Sequence, residues 1–298
     1  MMEISSVLVV GSIALDTIEN PYGKRENLLG GSATYVTVAS GRSISVHVAG
    51  IIGDDFPAEG LEVFRQYSHD LSDLKQVSGK TFRWGGKYAE DMDTRETLFT
   101  ELGVFSKYSP QISLTNKTVP IVFLANIHPA LQLSIIEQME GNPLIITDTM
   151  NLWIETTKNE LLDVLNKTNI LLINEGEAEL LSGTNDIEKS AGKLQELGPK
   201  TVVIKKGSSG AILFSGGEKI SIGVYPVRKV IDTTGAGDAF GGGFISALAS
   251  GGSFQDALIN GSVLGSICVE GFGIESLKKV NSRELLKREK FLRTYFFS

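Results

Sequence analysis

The chain has 298 residues, 42% of them hydrophobic and 21% charged, an ordinary balance for a globular protein. Its formal net charge of −7 removes nucleic acid and anionic membrane surfaces from the expected partners. A single cysteine, Cys268, excludes a disulfide framework within the chain, and no apolar run reaches the roughly 18 residues of a membrane span. The N-terminal stretch has no basic region and its short apolar run stops at Gly11, so it does not read as a secretory signal. A soluble, cytoplasmic protein is the expectation.

Continuous apolar runs at 7–10, 46–52, 121–124, 144–147, 170–173 and 202–204 read as buried parallel strands. Helical spacing alternates with most of them, at 32–41, 57–69, 130–139, 159–166, 175–181 and 186–197. Repeated strand, helix and strand predict an α/β fold: a mostly parallel sheet, helices on both faces, right-handed crossovers. Ligands of such sheets sit beyond the carboxyl ends of the strands. Gly11, Asn174 and Lys205-Lys206 follow strand ends and Asp148 closes another, so they are expected to face one crevice.

Two stretches, 13–29 and 77–101, interrupt the alternation. Both are polar, contain glycine and alternate in part, which predicts a small β lid inserted in one domain spanning 1–298. Gly85-Gly86, between 81–84 and 87–90, is expected to be its hairpin turn. Residues 263–272 and 282–296 are expected to be helical or irregular and to pack on the sheet.

The most informative stretch is Asp232-Thr233-Thr234-Gly235-Ala236-Gly237-Asp238, followed by Ala239-Phe240 and three glycines. Extended chain precedes it, and Phe244, Ile245, Leu248 and Ala249 follow at helical spacing. It is therefore a turn that opens a helix. First-turn N–H groups lack intrahelical partners and carry positive partial charge, so they suit an anion, usually phosphate. A carboxylate beside phosphate costs Coulomb energy. Asp238 makes sense there if it accepts a proton from a hydroxyl attacking that phosphate. The plain alternative is capping by Asp232 or Thr234.

Other candidates have plain alternatives too. Asp16 follows the first strand and suits a vicinal diol, or a turn. Gly30-Gly31-Ser32 opens a helix, with glycines for close backbone approach and Ser32 as an N-cap. Asn174 and Glu177 share a helical face and would orient hydrated Mg²⁺, or form a capping arrangement. Residues 206–210, Lys206-Gly207-Ser208-Ser209-Gly210, would approach a nucleotide or simply turn a hairpin. His47, His69 and His128 share no metal-ligand spacing. P-loop and dinucleotide-binding fingerprints are missing.

Together these stretches resemble the ribokinase-like, or PfkB, family of carbohydrate and nucleoside kinases. Gly30-Gly31-Ser32-Ala33 is similar to its first signature, and Asp232 to Asp238 with the glycines beyond to its second. Asn174 to Glu177 is similar to its N-x-x-E motif, and Lys206 to Gly210 to its nucleotide loop. The resemblance implies a three-layer ribokinase-like fold with a β lid, and transfer from Mg²⁺-ATP to a hydroxymethyl group. It implies Asp238 as base, an anion hole from Gly235, Ala236 and Gly237, and acceptor binding by Asp16 and by Gly30, Gly31 and Ser32. ATP would meet Asn174, Lys206, Gly207, Gly210, Thr234 and Asn260, with Glu177 reaching Mg²⁺ through water. Asp232 would belong to the monovalent-cation (K⁺) loop of some members.

The chain departs from many sugar kinases of the family at Tyr35, where they carry Asn. With Phe82, Trp84 and Tyr88 in the lid, this favours a ribonucleoside acceptor with broad base tolerance over a free sugar. Tyr35 and Trp84 are the expected specificity contacts. Stacking on an aromatic face is largely indifferent to the edge of the base. A silent nucleotide-binding regulator is the reading from another class, and the intact Asp238 and its glycines weigh against it. The expected partner is a small molecule, with a homodimer through exposed lid edges compatible with the pattern.

Overall fold

The structure, a computed structural model, describes residues 5–92 and 94–297. The first half contains β1 (Val7–Val10), β2 (Ala14–Asn20), β3 (Gly23–Gly30), α1 (Ser32–Ser40), β4 (Val46–Gly53), α2 (Ala58–Tyr67), β5 (Asp70–Val77), β6 (Phe82–Tyr88) and β7 (Arg95–Glu101). There follow β8 (Ile121–Leu124), α3 (Pro129–Gln138), β9 (Leu144–Asp148), α4 (Asn151–Thr156), α5 (Lys158–Leu165), β10 (Ile170–Asn174), α6 (Glu175–Ser182) and α7 (Ile187–Glu196). The last part contains β11 (Thr201–Lys205), β12 (Ala211–Ser215), β13 (Glu218–Ile222), α8 (Ala236–Ala249), α9 (Phe254–Cys268), α10 (Glu275–Lys279) and α11 (Ser282–Phe296).

Nine strands form one sheet in the order β13-β12-β11-β10-β9-β8-β1-β4-β5. Every pairing from β11 to β5 is parallel, and β12 and β13 add an antiparallel edge. All six predicted parallel strands are present. The seventh, β5, escaped notice because its sequence, DLSDLKQV, is that of an exposed edge and lacks an apolar run. The chain leaves β1 toward β4 on one side and returns at β8 on the other, so the sheet reverses direction at β1.

Alternation along the strands decides which helices cover which face. Val9, Phe123, Ile146, Leu172 and Val203 share a core with Phe244 of α8, Ile259 of α9 and Val36 of α1. Leu8, Val122 and Ile145 turn the other way, toward Ile135 of α3 and Val164 of α5. Leu171 and Val202 do likewise toward α6 and α7. The result is three layers, helix on sheet on helix.

Both interrupting stretches join a second, four-stranded sheet of order β3-β2-β6-β7. The lid expectation holds, but its turn is elsewhere. Gly85 and Gly86 lie inside β6, and the hairpin closes at Ala89, whose N–H donates to Thr94 C=O at 3.0 Å. The two glycines serve packing: a Cβ on Gly85 would meet the Phe99 ring, and one on Gly86 the Trp84 ring. The three histidines are structural. His47 bonds Asn116 at 2.6 Å and packs on His69, while the His128 ring accepts from the Ala130 N–H and caps α3.

Helix α8 is held on three sides through its glycine run. Gly241 faces the Phe123 ring, Gly242 faces Val36 and Ala39 of α1, and Gly243 faces the Asn260 backbone of α9. A Cβ at Gly243 would strike main-chain atoms that have no rotamer to yield. Gly243→Val should therefore lower stability by about 1–3 kcal/mol, the usual cost of overpacking. Urea unfolding measures it, and an unchanged midpoint would show that α8 and α9 do not meet this closely.

Candidate active site

The face-alternation rule that sorts the core also builds the site. Asp148 continues the face of Ile146, Asn174 that of Leu172, and Lys205 that of Val203, so all three emerge on the α8 side. There Lys205 Nζ donates to Asp148 Oδ2 at 2.7 Å, a pair shielded from solvent. The same ammonium lies 3.3 Å from where a Cβ of Gly237 would stand, at the mouth of α8. Burial disfavours the charge on Lys205, but Asp148, Glu177 and Asp238 outweigh it and raise the pKa.

Helix α8 begins as the sequence predicts. Gly235 is its N-cap at φ 74°, a left-handed conformation that suits glycine, and the Tyr35 ring fills the space a Cβ would need. The N–H groups of Gly235, Gly237 and Asp238 have no protein partner among the described residues, whereas that of Ala236 donates to Thr233 C=O at 3.2 Å. Among the described residues the donors left open at this helix start are thus the two glycines and Asp238 itself, with Ala236 spent on the turn. Burial pushes the Asp238 carboxyl up to about 7; Asp148 and Glu177 add to the shift and Lys205 opposes it.

Asp232 closes the loop from behind. Its Oδ1 accepts the Thr234 N–H at 2.9 Å and its Oδ2 the Gly273 N–H at 3.0 Å. Thr234, expected at ATP, turns its hydroxyl to Tyr88 of the lid at 2.8 Å, and its carbonyl accepts from the Cys268 thiol at 3.6 Å.

Asp16 of β2 stands over this loop. Its carboxylate lies against Gly30, which has no room for a side chain. Gly31 takes φ 84° and caps α1, so Ser32 is the first helical residue and not the N-cap. Ser32 instead staples β1 to α1: its N–H donates to Ser12 Oγ at 3.1 Å and its hydroxyl to Asn126 C=O at 3.1 Å. Burial, then the neighbouring Asp232, lifts the Asp16 carboxyl to about 8, with Asp238 adding to it.

Asn174 and Glu177 form a reciprocal capping box at α6. Asn174 Oδ1 accepts the Glu177 N–H at 2.8 Å, and Glu177 Oε2 accepts the Asn174 N–H at 3.0 Å. The capping alternative is the one seen, and Glu177 also lies within the electrostatic reach of Lys205. Burial pushes Glu177 to about 7, against the pull of Lys205 and with the push of Asp148. The loop 206–210 is the turn of the β11–β12 hairpin, where the Lys206 N–H donates to Gly210 C=O at 2.7 Å; space beside Gly207 is open.

Of three further expected contacts, Asn260 lies apart from this group, whereas Tyr35 touches Gly235 and Trp84 is the register partner of Asp16 across β2 and β6. Asn260 is opposite Gly243, halfway along α8, and lines a cavity of about 180 Å³ with Arg42 and Leu277. Tyr35 is buried beneath Gly235, and its hydroxyl has no partner among the described residues. Trp84 is half-buried within the lid, with the Arg95 guanidinium 5.2 Å from its ring centroid. Phe82 packs on Phe105. Conversely, the roles of Lys205 and Asp148 went unassigned in the sequence. Their signal is parity: each stands two residues beyond a core-facing residue of its strand.

A parallel sheet with its site at the carboxyl ends, an anion-binding helix start and a carboxylate in its first turn define a phosphotransferase of ribokinase-like fold. The nucleoside kinase of Methanocaldococcus jannaschii superposes with a TM-score of 0.80 at 23% identity, covering 97% of this chain and 99% of that one. Arabidopsis thaliana ribokinase, complexed with ribose and ATP, gives 0.79 at 24% identity, covering 97% and 100%. The pfkB family carbohydrate kinase model matches residues 132–279. A cytidine kinase of Thermococcus kodakarensis is 28% identical over 261 residues, 85% of this chain and 91% of that one. Over residues 132–279 the chain matches the pfkB family, and by these similarities it is a kinase with an alcohol group as acceptor. Among the described residues no helix is long and apolar enough to cross a membrane.

The raised pKa of Asp16 gives a stability prediction. Between about pH 4, where an ordinary carboxyl ionises, and about pH 8, the folded chain keeps a proton that the unfolded chain has released. Its contribution to stability is full below that window and is lost as pH rises through it. Asp16→Asn should gain Tm over the wild-type chain, by a few degrees at pH 8, with a smaller gain at pH 5 and a plateau above pH 8. Calorimetry across that range checks it, and a pH-independent difference would place Asp16 in a solvated environment.

Proposed function

We propose that this protein transfers the γ-phosphate of ATP to a primary, 5′-type hydroxyl of a ribonucleoside, in the cytoplasm. The observation that carries the reading is Asp238 in the first turn of α8, beside unpaired N–H groups and the Lys205 ammonium. Those donors would take up charge on the transferred group, while Asp238 would accept the proton of the attacking hydroxyl. A carboxyl lifted to about 7 is a competent base near neutral pH. Asp16, close enough to Asp238 to feel its charge, would hold the ribose diol and present the neighbouring hydroxyl.

The nucleotide would lie along 206–210, where the backbone is accessible at Gly207. Among the described residues, no cluster of three His, Cys, Asp or Glu side chains is arranged to hold a metal directly. Mg²⁺ would be carried by donor phosphates and water, with Glu177 and Asn174 ordering the water. Bound there, Mg²⁺ would offset phosphate charge. Asp232 has both oxygens engaged by backbone N–H groups, so it fits a loop staple, and no step is assigned to K⁺. The similarity to a cytidine kinase over 85% of the chain supports a nucleoside acceptor over a free sugar. Tolerance among bases follows if the base meets the ring of Trp84. The open edge strands β3 and β7 of the lid sheet suit a homodimer.

Asp238→Asn should leave ATP affinity nearly intact and lower kcat by roughly 10²–10⁴. A variant keeping more than about a tenth of kcat, on that same scale, removes Asp238 as the base. Release of ADP with cytidine, uridine, adenosine, inosine, ribose and fructose as acceptors tests the substrate class. A nucleoside should have the highest kcat/KM, with Trp84→Ala narrowing the advantage over ribose; ribose or fructose ahead of every nucleoside overturns the acceptor.

A further inference from the structure

The anion-binding loop is not positioned by the main sheet alone. The hydroxyl of Thr234 bonds the Tyr88 hydroxyl at 2.8 Å, across 146 residues of chain. One residue earlier, the Thr233 hydroxyl donates to Met92 C=O at 2.7 Å. Both partners belong to the β6–β7 hairpin of the lid. On the other lid hairpin, Asn20 Nδ2 donates to Ile231 C=O at 2.8 Å. Three residues of the approach to α8, Ile231, Thr233 and Thr234, are therefore tied to the lid.

Tyr88 is well placed for such a part. It is 6% exposed and packs with Ile18, Met92 and Phe272 in the small core between lid and loop, so its ring has little freedom. The hydroxyl it holds belongs to the residue just before Gly235, whose left-handed φ aims the free N–H groups. A rotation at Thr234 would swing those groups away from Lys205. Thr234 in turn has its N–H fixed by Asp232 and its carbonyl by Cys268, which leaves the side-chain contact with Tyr88 as its tie to the lid.

We propose that Tyr88 is a positioning residue for phosphoryl transfer: its hydroxyl, through Thr234, holds the Gly235 turn so that the α8 N–H groups converge on the transferred group. This rests on the kinase reading of the site. Tyr88 itself touches no reacting atom. Its influence should appear in the rate of the chemical step more than in substrate binding, because small displacements at a reacting centre cost rate steeply.

The test is steady-state kinetics on the 298-residue chain, with ATP and the best nucleoside from the panel. Tyr88→Phe keeps the ring and its packing and removes only the hydroxyl. It should lower kcat about 10- to 100-fold, the scale of a sub-ångström to one-ångström misplacement, with both KM values within about twofold. Thr234→Val should lower kcat similarly, and Thr234→Ser should restore most of it. The double variant Tyr88→Phe with Thr234→Val should be no slower than the slower single variant, because both remove one coupling. Multiplicative losses, or a rise in acceptor KM at unchanged kcat, would make Tyr88 an independent or acceptor-contacting group and overturn the proposal. So would full activity of Tyr88→Phe. An inactive wild-type chain would count against the kinase reading itself, which separates the two failures.

Discussion

The crevice at the start of α8 is organised by crowded negative charge. Asp148, Glu177 and Asp238 surround one ammonium, Lys205, in a place largely closed to water. Burial disfavours the charged forms of Glu177 and Asp238 first of all, and the neighbouring carboxylates add repulsion to it. Glu177 and Asp238 respond by titrating near neutrality. Lys205 and the free N–H groups of α8 provide the local positive potential. The site is thereby poised to exchange a proton and to receive a ligand whose charge is compensated on arrival. Most of the surrounding structure can be understood as keeping these groups together against their repulsion.

The main sheet accomplishes this with a single device. Because neighbouring residues of a strand point to opposite faces, β9, β10 and β11 each carry apolar residues into the core and then, one step past it on the same face, deliver Asp148, Asn174 and Lys205. The parallel arrangement puts all three ends on the same side. The same strands that bury Ile146, Leu172 and Val203 therefore set the spacing of the charged groups, and the site inherits the rigidity of the core.

Much of this was legible in the sequence, for reasons that differ by element. Buried parallel strands announce themselves because both faces must be apolar, which is why β1, β4 and β8 to β11 could be read directly. The Asp232 to Asp238 turn was legible because few purposes need glycines and a carboxylate together at a helix start. Edge strands such as β5 answer to solvent and leave no such imprint. Gly85-Gly86 misled because glycine signals a turn and close packing alike, and only the positions of Trp84 and Phe99 separate the two. Tyr35 was singled out as a departure, but a lone residue does not reveal whether its ring meets a ligand or fills the space beneath Gly235. Asn260 was named from the resemblance alone, and no pattern in the sequence placed it opposite Gly243, midway along α8.

The lid and the catalytic helix have different histories available to them. Asp238 rides on a helix gripped on three sides by main-core backbone and rings, whereas Asp16 rides on a lid strand. On the proposed reading, sequence drift in the lid would reshape the acceptor side while the groups at the start of α8 stay put. The seam at Thr233 and Thr234 restrains that freedom: a lid transplanted from a relative would have to bring its own partners for those two hydroxyls. Diversification of substrate choice on this scaffold is then limited less by what fits the pocket than by whether a new lid can still be buttoned to the old loop.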